Sequence, residues 1–103
     1  MITKIPRTKI EIVTDVLFLP RLLSMAALAG VRNHTLLPVL GGSGHAGDWS
    51  EDLLTRADNK LMFMAVADKD PAERFLDLLA PQLSELGAVA FVSETTVLRE
   101  HRF

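Results

Sequence analysis

Gly41-Gly42-Ser43-Gly44-His45-Ala46-Gly47 places four glycines in seven residues, directly after the apolar run Leu36-Leu37-Pro38-Val39-Leu40 and before a polar stretch that lasts to Asn59. Glycine admits positive φ and lets a ligand approach the main chain closely. Successive N–H groups in a tight turn can form an anion-binding nest. The same stretch holds a literal G-x-G-x-x-G from Gly42 to Gly47, a pattern that binds a dinucleotide when it follows a strand and opens a helix. Both patterns point to a nucleotide or phosphate ligand. They belong to different folds, so the flanking elements must decide between them.

Upstream, Lys9-Ile10-Glu11-Ile12 alternates charged and apolar residues, and β-branched character continues through Val16, which predicts a strand over Thr8–Val16. Pro20 suits a first helical turn. Leu22, Leu23, Ala26 and Ala27 follow at helical spacing with Gly30 as a stop, so a helix is expected over Leu19–Ala29. His34–Leu40 reads as a second strand, and Pro38 assigns it to a sheet edge or a bulge, because proline cannot donate to a ladder.

Downstream, Lys60–Ala67 is almost continuously apolar, as in a central strand covered on both faces. Asp70-Pro71-Ala72-Glu73 predicts a helix start with Asp70 as the cap. Phe75, Leu78, Leu79, Leu83 and Leu86 form its buried stripe, Pro81 kinks or splits it, and Gly87 ends it. Ala88–Arg99 reads as a last strand, with a break expected near Ser93-Glu94. The order is strand, helix, strand, long loop, strand, helix, strand. That is the ferredoxin-like βαββαβ arrangement of the α+β class, an antiparallel sheet with two helices on one face. The loop over 41–59, between strands two and three, is far longer than a hairpin connection and is expected to be functional.

The dinucleotide fold fails on three counts. Its first strand would be central, where Pro38 breaks a required ladder bond. Asp48-Trp49-Ser50 separates the glycines from any helix, with Ser50 better placed as its cap. The remaining chain is also too short for a second nucleotide-binding half. A Walker loop is excluded because Asp48 follows Gly47 where lysine belongs.

Bulk composition narrows the function. The 103 residues suffice for a single domain, 1–103, that buries roughly 65% of its unfolded surface. The 49% hydrophobic content is high for that size and favours an oligomer. A net charge of −2 lacks the cationic footprint of a nucleic-acid binder. Without cysteine there is no disulfide, thiolate zinc site or cysteine nucleophile, and His34, His45 and His101 alone do not signal a transition-metal site. Met1–Arg7 lacks a signal-peptide core and no apolar run approaches ~20 residues, so a soluble cytoplasmic protein without membrane insertion is expected.

The element order and several local strings together resemble the P-II signal-transduction superfamily. The strings are Thr35-Leu36-Leu37-Pro38-Val39-Leu40-Gly41-Gly42-Ser43-Gly44, the long loop, Ala65-Val66-Ala67-Asp68 and Thr96-Val97-Leu98-Arg99. The resemblance covers about residues 8–102. It implies a homotrimer that binds adenine nucleotides between subunits and signals to a target protein through the 41–59 loop, without being an enzyme. By position it implies that Thr35 and the backbone of Gly41, Gly42, Ser43 and Gly44 sit at the cleft, that Met64 lines the adenine side, and that Arg99 reaches a phosphate from the neighbouring C-terminal segment. His101 and Arg102 extend that segment, and Arg99 and His101 share one strand face.

Two departures qualify the resemblance. The chain has no tyrosine, which rules out nucleotidylation of a loop tyrosine. Leu86-Gly87-Ala88-Val89-Ala90 replaces the glycine- and lysine-rich phosphate loop, removing a point charge suited to terminal phosphates, so ADP or AMP is favoured over ATP. The short form is most similar to the carbon-metabolism and carboxysome-associated branches, which makes bicarbonate a further candidate ligand. Two other classes compete: a small ferredoxin-like enzyme with His34 or His45 as general base, and a trimeric metal-tolerance module like the CutA proteins. Trp49 is expected to anchor the loop on its own Leu53-Leu54 segment, with partner docking as the alternative.

Overall fold

A computed structural model describes residues 2–44, 47–50 and 59–100. The order is β1 (Ile2–Asp15), a 3-10 turn (Val16–Phe18), α1 (Leu19–Ala29), β2 (His34–Val39), β3 (Gly41–Gly44), β4 (Gly47–Ser50), β5 (Lys60–Ala67), α2 (Lys69–Leu79), a second 3-10 turn (Ala80–Gln82), α3 (Leu83–Leu86) and β6 (Val89–Glu100). The main sheet is antiparallel with strand order β2-β5-β1-β6, and β3-β4 form a separate ribbon. The fold is ferredoxin-like.

The period of two along the central strands builds the core. Ile10 pairs with Ala65, Ile12 with Phe63 and Thr14 with Leu61, and all six are buried on the helix-covered face. Leu22, Met25, Ala26 and Ala29 of α1 and Ala72, Phe75 and Leu79 of α2 close over them. Each large side chain so buried stabilises by about 1.5–3 kcal/mol. Phe63 meets Phe75 edge-on at 5.7 Å between centroids, and the exposed His34 stacks on Phe63 at 5.2 Å. The buried Thr14 hydroxyl donates to the Leu86 carbonyl at 3.1 Å, tying α3 to the end of β1.

Helix ends follow local chemistry. Asp15 Oδ1 accepts the Leu17 amide at 2.8 Å and starts the first 3-10 turn. Gly30 ends α1 at φ +86°, with its N–H on the last-turn carbonyls and Val31 N–H on Ala26 O at 2.9 Å. Pro81 divides α2 from α3 through the second 3-10 turn, as expected.

The structure corrects several boundaries. β1 starts at Ile2, not Thr8, because Ile2–Arg7 pairs with β6 from Glu100 back to Thr95. Over that stretch β6 is the only neighbour of β1 among the described residues, since pairing with β5 stops at Thr8↔Ala67, so Pro6 is tolerated. β6 runs through Ser93-Glu94 without a break because both residues keep register with Lys9 and Thr8. Helix α2 is capped at Asp68 rather than Asp70, with Ala72 N–H on the Asp68 carbonyl, which leaves Pro71 in a first turn that has no N–H bonds to lose. Leu78, expected in the buried stripe, is instead 38% exposed, and Ala72, which was not expected there, is buried with Phe75 and Leu79. β5 is interior but alternates buried and half-buried residues, because the helices cover one face only. Pro38 does lie on an edge strand. Within the long loop, Gly41–Gly44 pairs with Gly47–Ser50 as a ribbon rather than a tight turn. His45 and the Leu53-Leu54 segment expected to receive Trp49 lie outside the described residues.

Candidate functional site

Beyond Thr8↔Ala67 the main sheet narrows to the β1–β6 ribbon, and at that end three segments enclose a cleft of about 640 Å³. The turn after α1 supplies Arg32 and Asn33, held there because Gly30 stops the helix and β2 begins opposite Ala65. The β5–α2 junction supplies Val66, Asp68 and Arg74. The ribbon supplies Ile5, Arg7, Val97 and Arg99. Its register pairs Ile5 with Val97, Arg7 with Thr95 and Thr3 with Arg99, which puts all four cleft residues on one ribbon face.

Four arginines and one carboxylate give this cleft a formal charge of about +3 in a chain whose net charge is −2. Arg7 Nη1 lies 3.2 Å from Asp68 Oδ1 and donates to the Pro6 carbonyl at 2.7 Å. The ion pair is open to water, with side-chain exposures of 31% and 69%, and pairs of this kind contribute about 0–1 kcal/mol. Arg74 Nε donates to the Ala29 carbonyl at 3.0 Å, so it satisfies the end of α1 while standing at the cleft. Arg32 and Arg99 are exposed and have no acidic partner among the described residues.

The residues expected from sequence divide between two ends of the sheet. Thr35 and Met64 are direct cross-strand partners on the helix-free face, in a row that continues through Glu11 to Phe91. Gly41, Gly42, Ser43 and Gly44 lie past the Val39↔Lys60 end of β2. Half the amides of a two-stranded ribbon point away from the partner strand and stay available to a ligand. Arg99 lies past the opposite end. The length of β5 between these ends, seven residue steps, is roughly 24 Å, so one chain does not bring the glycines and Arg99 together. His101 and Arg102 lie outside the described residues. Arg7, Arg32 and Arg74 escape sequence reasoning because they come from separate elements with no motif spacing. His34 is stacked on a core phenylalanine rather than paired with a nucleophile or carboxylate among the described residues. No cluster of three metal-ligating side chains occurs among the described residues, and no helix among them is long and apolar enough to cross a membrane.

Residues 7–102 match the family model of the nitrogen regulatory protein P-II. The chain therefore belongs to the P-II family. Among solved structures it is similar to CPII, a PII-like protein from Thiomonas intermedia K12 bound to ADP, AMP and bicarbonate, at TM-score 0.83 and 23% identity over 94% of this chain and 92% of that one. A PII-like signalling protein from Thermus thermophilus superposes at TM-score 0.74 with 20% identity over 91% of each chain. The GlnK–ATP complex of B. subtilis superposes at 0.62 with 23% identity over 87% of this chain and 82% of that one. No curated protein matches the chain.

Proposed function

We propose that this P-II family member is a cytoplasmic regulatory protein that binds an adenine nucleotide and performs no catalysis. The observation that carries the reading is the likeness over nearly the whole chain to CPII bound to ADP, AMP and bicarbonate. The nucleotide site lies between copies of a homotrimer. One copy supplies Thr35, Met64 and the backbone of Gly41–Gly44, and the adjoining copy supplies Arg99, His101 and Arg102. The separation of these groups within one chain supports that division. So does the helix-free sheet face, where Leu37, Val89 and Phe91 are 40%, 55% and 55% exposed and need a covering surface.

ADP or AMP is the favoured ligand, with bicarbonate as a co-ligand linking the protein to inorganic carbon and to a carboxysome setting. Signalling follows if phosphate contacts at the glycine ribbon stabilise one state of the 41–59 segment over another and a target protein reads the difference. Titration calorimetry with ADP, AMP, ATP and cyclic AMP, with and without bicarbonate, tests this. Saturating ADP at a hundredfold above Kd should stabilise the fold by about 2.7 kcal/mol. No heat and no thermal shift with any nucleotide would reject the sensor reading.

A further inference from the structure

We infer that Lys9 and Glu11 fix the register of the homotrimer, with Lys9 of each copy pairing with Glu11 of the adjoining copy on the helix-free sheet face. This rests on the reading above that copies of the chain associate, and it names the contact that orients them.

The period of two puts both charges on that face, side by side on β1. Their surroundings are largely apolar. Glu11 lies between Met64 and Phe91, and Lys9 between Val66 and Ser93. Val13, next along the same face, lies between Met62 and Val89. Within one chain Lys9 Nζ stands 3.8 Å from Glu11 Oε1, farther than the roughly 2.7–2.9 Å of a charge-assisted hydrogen bond. Neither side chain has another ion pair among the described residues. The ammonium's donors and most of the carboxylate's lone pairs are therefore open to a partner. Water serves them in the isolated chain, where the two side chains are 34% and 28% exposed. A surface that covers Met64, Phe91 and Val89 removes that water, and a buried charge without a partner is costly.

A second copy supplies the missing partners, whereas a purely apolar surface does not. The centre of the face carries one cation and one anion on the same strand, so it is neutral and complementary to itself. Copies joined head to tail set Lys9 of one against Glu11 of the next, and a ring of three closes with every charge paired. A slipped register would set like charges together or strand one of them. The pair thus specifies orientation even where its net contribution to affinity is small.

Sedimentation velocity and native mass spectrometry of the full-length protein, of Lys9→Glu and of Glu11→Lys test the contact. The wild type should be trimeric. Each variant alone brings like charges together at every contact of the ring and should raise the concentration for half-assembly at least about hundredfold. Circular dichroism of both should match the wild type, because a water-exposed pair adds little to the stability of a single chain. An equimolar mixture should form trimers containing both variants at concentrations where neither assembles alone, since most contacts in a mixed ring join opposite charges. Repulsion confined to one chain would persist on mixing, so this recovery separates contact between copies from the internal pair. Trimers unaffected by either substitution, or a mixture no better assembled than its components, overturn the inference and leave the homotrimer reading standing. A wild-type chain that is monomeric at every concentration rejects the homotrimer, and the register with it.

Discussion

Gly30 meets two demands at once. Its φ of +86° strains any residue with a Cβ, and a Cβ built there would lie 3.4 Å from Arg74 Nη2. Gly87 meets only the first, at φ +57° with no atom within 4 Å of the added carbon. Gly87→Ala should therefore cost about 1 kcal/mol, and Gly30→Ala should cost more and disturb Arg74. Midpoints of urea unfolding for the two variants will show the difference, and equal midpoints would mean that Arg74 yields freely. Phe63, fully buried between Phe75 and the His34 ring, should cost about 3–5 kcal/mol as Phe63→Ala in the same assay.

The β1–β6 ribbon differs from the rest of the sheet in having two strands and no β5 beside it. Two-stranded ribbons are marginal by themselves, whereas interior strands gain packing and pairing on both sides. Amide hydrogen exchange should therefore be fastest at Thr3–Arg7 and slowest at Ile10–Thr14, and similar protection along all of β1 would show that something covers the ribbon. At the opposite end of the sheet, α3 is fastened by Thr14 to the Leu86 carbonyl and by Arg21, which reaches Gln82, Glu85 and the Phe18 ring. That clamp holds the short helix after Pro81 in place.

Across the molecule, one sheet face is covered by helices and the other presents Leu37, Met62, Val13 and Val89 in one row and Thr35, Met64, Glu11 and Phe91 in the next. Phe91 is 55% exposed in the isolated chain, so Phe91→Arg should leave the fold intact while shifting the proposed trimer toward monomer in sedimentation velocity. A variant that remains trimeric would place the subunit interface elsewhere. ADP affinity should fall together with the trimer, because the proposed nucleotide site needs two copies.

The elements legible in the chain are those whose signals are local. α1 runs from Leu19 to Ala29 and β5 from Lys60 to Ala67 as their spacing predicts, since capping, helical periodicity and apolar runs act over a few residues. Pro38 places β2 at an edge for the same reason. The first six residues of β1 carry no comparable signal, because their order comes from β6, some ninety positions away. The glycine segment is legible as special but not as a strand, since the pairing with Gly47–Ser50 overrides glycine's weak strand preference. The sequence alone thus determined the βαββαβ order and the P-II resemblance. Only the tertiary structure decided that Arg7, Arg32, Arg74 and Arg99 line one cleft, because four distant segments meet there only after the chain has reversed direction between them.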